Sequence, residues 1–163
     1  MKKYPIISEK EFLLKEVHVS YKKKKLYPVK INCSESVADF LGRIWDKNLI
    51  GIIEQFVIVC LDRANNIVGY RVVSSGGIFQ ASVDIRLILS IALNTLATSI
   101  ILAHNHPSGE VEPSEKDFMV TYNIQDAARY LDIEVVDHII ITENRYLSFA
   151  DSGYLKKYKK SKI

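Results

Sequence analysis

The stretch Ser99-Ile100-Ile101-Leu102-Ala103-His104-Asn105-His106-Pro107-Ser108-Gly109, followed by Pro113-Ser114-Glu115-Lys116-Asp117, decides how this chain is read. Ser99 to Ala103 is a short apolar run of strand type, and it delivers His104 at its C-terminal end. His104 and His106 are two residues apart, so on an extended backbone both side chains point to one side. Pro107, Gly109 and Pro113 suit a fixed turn that brings Asp117, at the start of the next helix, back toward them. Two imidazoles and a carboxylate suit a borderline-soft divalent ion, zinc above all. Three protein ligands leave a fourth position for water, the mark of a catalytic site. Ser114 has two readings. It is an N-cap with Asp117 three residues on, in a capping box, or its hydroxyl serves a developing oxyanion.

Outward from this segment, helix and strand patterns alternate. A helix starts at Ser34 or Ser36 and runs to Asn48–Gly51, with Val37, Phe40, Leu41, Ile44 and Trp45 on one apolar, core-facing side. Residues 54–62 form a strand buried on both faces, Arg63-Ala64-Asn65-Asn66 a hairpin turn, residues 67–74 the return strand, and residues 75–77 a loop. Asp84 caps a helix over residues 85–96 whose nearly all-apolar surface predicts deep burial. A helix over 114–131, a strand over 133–142, a turn at Glu143-Asn144 and a last strand over 145–149 complete the pattern. The expectation is a mixed α/β (α+β) domain, a central mixed sheet flanked by helices.

At 163 residues the chain is one domain by size, with 48% hydrophobic and 25% charged residues, ordinary for a globular protein. No stretch nears the ~20 apolar residues of a membrane span, and no apolar h-region follows Lys2 and Lys3. Cys33 and Cys60 are the only cysteines and form no CxxC motif, so a cytoplasmic protein with free thiols is expected. The net charge of +3 is concentrated in Lys22–Lys25 and in the tail Lys156, Lys157, Lys159, Lys160 and Lys162. These runs read as solvated surface, with weak nucleic-acid contact as the alternative.

A water-activating site needs a general base. Glu110, Glu112 and Glu115 sit in the loop and read as solvent-facing, whereas Glu54 opens the first buried strand. Glu54 is either that base or polar punctuation at a strand end. The letters His-Asn-His do not make an HNH nuclease, whose residues are spread along a ββα unit. The HxE and PCxxC of zinc deaminases are absent. Asp137-His138 lies in an apolar strand and reads as a buried hydrogen-bonded pair. Arg86 reads as a substrate-carboxylate or an ion-pair residue.

With Glu54 upstream, the run from His104 to Asp117 resembles the JAMM metalloprotease signature: a glutamate, HxH, seven residues, Ser, two residues, Asp. Further pieces are Glu54-Gln55-Phe56, Gly76-Gly77, Asp84-Ile85-Arg86, Asp137-His138-Ile139-Ile140 and residues 146–153. Together they resemble the RadC branch of the JAB1/MPN/Mov34 superfamily over residues 33–154, with residues 1–32 as a leader and 155–163 as a basic tail. Longer RadC proteins carry a helix-hairpin-helix region before this domain, and residues 1–32 show no such pattern. The resemblance implies a JAB/MPN domain of cytidine-deaminase-like fold. It implies Zn2+ on His104, His106 and Asp117, Glu54 as general acid/base and Ser114 as an active-site hydrogen-bond donor. The implied activity is hydrolysis of a peptide or isopeptide bond in a peptide or protein substrate, without a membrane. The alternative is a RadC-like protein of DNA repair or mobile elements, acting on or near nucleic acid.

Overall fold

Gln55–Leu61 forms β1, with every residue after Gln55 buried. It is closed on both edges and both faces, which is why it reads as an unbroken apolar run. Ile67–Ser75 (β2) returns antiparallel beside it. Asp62 builds the connecting turn: its carboxylate accepts from the backbone N–H groups of Ala64 (2.8 Å) and Asn66 (2.9 Å). Asn65 takes a φ of 62°, a region asparagine tolerates. Ser99–Asn105 (β3) lies antiparallel on the other edge of β1, Glu134–Ile141 (β4) is parallel to β3, and Tyr146–Ser148 (β5) is antiparallel to β4. The strand order is β2-β1-β3-β4-β5. The computed structural model describes residues 30–76 and 83–158. Lys22–Lys25, Gly77, and Lys159, Lys160 and Lys162, with most of the expected leader, lie outside the described residues.

Strand alternation sorts the side chains onto two faces. Val57, Val59, Leu61, Ile101 and Ala103 pack against Val37, Phe40 and Leu41 of α1 (Ser34–Ile44). Phe56, Ile58, Cys60, Ile100 and Leu102 pack against Ile88 and Ala92 of α2 (Ile85–Asn94) and Ile124 and Ala128 of α3 (Glu115–Arg129). A single mixed sheet therefore sits between one helix and two, and Trp45 is buried with the α1 layer. The parallel β3–β4 pair needs a crossover, and α3 supplies it. That crossover returns the start of α3 to the C-terminal end of β3, where His104 and His106 emerge.

Two expectations need correction. The first helix ends at Ile44, short of Asn48–Gly51. Trp45 is extended, and the Asp46 carboxylate caps Asn48 N–H at 2.9 Å, so a turn competes with the helix. α2 is only half buried: Ile88 and Ala92 are covered, but Leu87 is 38% and Leu93 49% exposed. It lies on the outside of the sheet, and its outer face stays apolar. Among the described residues no helix is long and apolar enough to cross a membrane.

Candidate metal centre

The turn after β3 is built by local chemistry. Gly109 N–H donates to His106 C=O at 3.1 Å, and Gly109 sits at a φ of 82°, where a side chain would strain the backbone. Arg145 Nη2 donates to Gly109 C=O at 2.6 Å and ties the loop to the end of the sheet. The chain then reaches Ser114, the N-cap of α3. The backbone N–H and the hydroxyl of Ser114 both donate to Asp117 Oδ2, each at 2.7 Å, while Ser114 Oγ accepts from Asp117 N–H at 3.3 Å. Asp117 is therefore cap and candidate ligand at once. Oδ2 is held by Ser114, and Oδ1 faces His104 Nε2 at 3.2 Å.

His104 and His106 point to the same side, as their spacing predicts. Their Nε2 atoms are 2.9 Å apart, and His106 Nε2 lies 3.6 Å from Asp117 Oδ2. A tetrahedral ion with bonds of about 2.0–2.1 Å holds neighbouring donors about 3.3 Å apart. Here each imidazole meets a different Asp117 oxygen, and one donor atom from each of the three residues lies within 4.8 Å of the others, a spread that one cation could draw together. His106 Nδ1 lies 2.8 Å from Glu110 C=O, which can only accept, so Nδ1 carries the hydrogen and Nε2 is left for the ion. His104, His106 and Asp117 are the one group among the described residues whose donor atoms could hold a metal ion. The His104 side chain is 1% exposed, against 18% for His106 and 13% for Asp117, so the site is closed behind His104 and opens past the other two.

Electrostatics follow from this crowding. Burial pushes the Asp117 carboxyl up, but hydrogen bonds and charge from the two imidazoles, with Ser114, hold it far below the usual carboxylate range. The His106 imidazole is raised, chiefly by its hydrogen bond to Asp117; burial opposes this, and the Glu110 carbonyl and the charges of Asp117 and Glu54 add to it. Glu54 directly precedes β1, in which Phe56 lies opposite His104. Its backbone is fixed by Asn105, the residue between the histidines. Asn105 is fully buried and points away from them. Its Oδ1 accepts from Gln55 N–H at 2.7 Å, and its Nδ2 donates to the carbonyls of Ile50 (2.6 Å) and Ile53 (2.8 Å). Glu54 sits between two of these anchors, and its own carbonyl accepts from Gly76 N–H at 2.9 Å.

Sequence reading left Asn105 without a role. The alternation of an HxH segment carries the signal, because the middle residue must face the other way. Asp137 and His138 are both buried, but their side chains do not pair. Asp137 accepts from His138 N–H (2.7 Å), Ser148 Oγ (2.7 Å) and Ala150 N–H (2.9 Å). The His138 ring reaches His104 instead, with Nε2 2.8 Å from His104 Nδ1. The expected buried hydrogen-bonded pair is thus made through the His138 backbone, while the two side chains face opposite sides of the sheet, as adjacent strand residues do. Arg86 is an exposed ion-pair residue, bound to its own cap residue Asp84 at 2.9 Å. Glu110, Glu112 and Glu115 are exposed, as expected. Of the lysine runs, Lys156 bonds Asp126 at 2.6 Å and lies over the Tyr122 ring. Cys33 is exposed, Cys60 is buried, and both are free thiols.

The mixed sheet, its three helices and the His-His-Asp group at the end of β3 define a JAB-type domain. A family model for the RadC-like JAB domain matches residues 31–154, and the chain belongs to that family. It is 43% identical over 100 residues to a UPF0758 protein of Flavobacterium johnsoniae, covering 61% of this chain and 44% of that one. It is 44% identical over 103 residues to a UPF0758 protein of Porphyromonas gingivalis, covering 63% and 45%. For a UPF0758 protein of Staphylococcus carnosus the identity is 36% over 127 residues, covering 77% and 54%. The chain thus spans about half the length of the curated relatives it matches.

Proposed function

We propose that this protein is a zinc-dependent hydrolase that cleaves an amide bond, peptide or isopeptide, in a peptide or protein substrate. The observation that carries the reading is the convergence of His104 Nε2, His106 Nε2 and the Asp117 carboxylate at 2.9–3.6 Å, with one side open. A zinc ion held there supplies Lewis acidity and brings the pKa of water down to about 7. Glu54 takes a proton from the attacking water and passes it to the nitrogen of the leaving amine as the C–N bond breaks. Asn105 anchors the backbone on both sides of Glu54 and so fixes where that side chain starts. Ser114 holds Asp117 in the ligand position. Its hydroxyl becomes an oxyanion donor only on turning away from Oδ2, which Ser114 N–H continues to hold. A groove of about 300 Å³ beside His106, lined by Ile50, Gly51, Ser108, Thr142 and Arg145 among others, receives the substrate backbone.

Elemental mass spectrometry of the purified protein, then peptide cleavage, tests this. About one zinc per chain is expected from the three-ligand set, lost in His106→Ala. Glu54→Gln should keep the zinc and lose cleavage by about 10²-fold or more. A chain that binds no zinc, or a Glu54→Gln variant with full activity, overturns the proposal.

A further inference from the structure

Behind the three donor atoms runs a buried polar chain that joins two of the ligands through the core. Thr121 Oγ1 donates to the backbone carbonyl of Asp117, one turn earlier on α3. The same oxygen lies 2.6 Å from His138 Nδ1, and His138 Nε2 lies 2.8 Å from His104 Nδ1. Thr121 and His138 are fully buried and His104 is 1% exposed, so water takes no part. The His138 ring packs between Phe56, Phe149 and His104, with ring centroids 5.5, 4.8 and 4.9 Å away.

Hydrogen counting gives this chain a direction. A carbonyl oxygen only accepts, and a threonine hydroxyl has one hydrogen, so that hydrogen goes to Asp117. Thr121 Oγ1 must then accept from His138 Nδ1–H. The His138 ring is fully buried among Phe56, Phe149 and His104, where a charged ring is disfavoured, so with a hydrogen on Nδ1 its other nitrogen is bare. The bare Nε2 accepts from His104 Nδ1–H, which leaves His104 Nε2 as the ring nitrogen that faces Asp117 Oδ1 and the site. Reversing every bond would leave Thr121 Oγ1 and the Asp117 carbonyl oxygen 2.5 Å apart with no hydrogen between them. It would also put a hydrogen on His104 Nε2, where the ion belongs.

We propose that Thr121 and His138 are positioning residues that set the ring tautomer of His104 and so keep its Nε2 available to the metal. The proposal rests on the metal reading above and adds a pair of residues outside the ligand set. The device couples the two ends of the site. The hydroxyl that orients His138 is anchored on the backbone of Asp117, so a displaced α3 start would disturb His104 as well.

The test is histidine nitrogen NMR on metal-free protein at a pH of about 8, with zinc affinity measured by competition against a chromophoric chelator. In the wild type, His104 and His138 should both carry the hydrogen on Nδ1. Thr121→Val keeps the shape and removes the hydroxyl. His138 then loses its acceptor, His104 should shift to the Nε2–H form, and zinc binding should weaken about 10–100-fold. Thr121→Ser loses a methyl group but keeps the hydroxyl. It should hold the wild-type tautomers with zinc affinity within about threefold, far from the loss expected when a ligand's orienting partner is removed. A purely structural role would make the two variants alike. His104 with its hydrogen on Nε2 in the wild type, or a Thr121→Val variant with unchanged tautomers and affinity, overturns the proposal. A wild type that binds no zinc sinks the hydrolase reading instead, and the tautomers still decide whether the chain has this direction.

Discussion

Replacing Asn105 with Asp changes one atom group and should turn a pH-independent anchor into a pH-dependent liability. One oxygen of the new carboxyl would still accept from Gln55 N–H, at 2.7 Å in the native protein. The other would face the Ile50 and Ile53 carbonyl oxygens, where Asn105 Nδ2 now donates across 2.6 and 2.8 Å. An ionised carboxylate cannot stand there, so the group takes up a proton. Holding a carboxyl protonated at pH 7 costs 1.36 kcal/mol for each unit above its ordinary pKa of about 3.9, or about 4 kcal/mol. The acid hydrogen can satisfy one carbonyl, and the other adds about 1 kcal/mol, giving about 5 kcal/mol at pH 7. The native carboxyl has a raised pKa and binds more protons than the unfolded chain. The cost is therefore present at neutral pH and falls by about 1.4 kcal/mol per unit on acidification, to about 1 kcal/mol near pH 4. Asn105→Ala instead loses three hydrogen bonds of about 1 kcal/mol each at every pH. The two variants should cross between about pH 5 and 6, with Asn105→Asp the less stable above and the more stable below. Urea unfolding of chelated proteins by circular dichroism, between about pH 4.5 and 7.5, reads this directly. An Asn105→Asp variant within about 1 kcal/mol of wild type at pH 7, or one without the pH slope, would refute the hydrogen-bond assignment. Hydrolysis should fall alongside stability, because Glu54 sits between the backbone groups that Asn105 holds.

Two further predictions concern other parts of the molecule. In the metal-free protein, the Asp117 stabilisation is present above the ordinary carboxylate pKa of about 4 and is lost as pH falls. The His106 stabilisation is present below the ordinary imidazole pKa of about 6.5 and is lost as pH rises through its raised native value. His138, kept neutral by burial, acts in the opposite sense on the whole protein, so the signature is a difference. The melting-temperature advantage of the chelated wild type over chelated His106→Gln should be larger near pH 5.5 than near pH 8. Added zinc should stabilise the wild type more near pH 8, because metal binding displaces protons; an advantage equal at the two pH values in the chelated proteins would sink the pairing of His106 with Asp117. Leu96, just past α2, is 85% exposed at a φ of 54°, a conformation that favours glycine after a helix. Leu96→Gly should stabilise by about 0.5–1 kcal/mol once the entropy of glycine is discounted, and a lower urea midpoint would show that the leucine contributes packing.

The parts legible in the sequence are those where one physical rule dominates. β1, β3 and β4 are covered on both faces, and their unbroken apolar runs survive whatever packs on them. The convergence of His104, His106 and Asp117, with Ser114 as the cap beside them, was legible because strand alternation and capping constrain the same few positions. α2 was misread because an apolar surface does not say whether anything covers it, and only packing leaves Leu87 and Leu93 outside. The partners behind the site were hidden for a different reason. Asn105 reaches Ile50 across 55 residues, and His138 reaches His104 across 34. Such pairs are set by strand order and register, which local patterning does not encode. A register shift between Ile100 and Ile101 brings His138 opposite Leu102, on the face that carries His104, and sends Asp137 to the other. Alternation turns the two side chains apart while the Asp137 carboxylate keeps its bond to His138 N–H, and the shift so gives His104 a buried partner that can fix its ring.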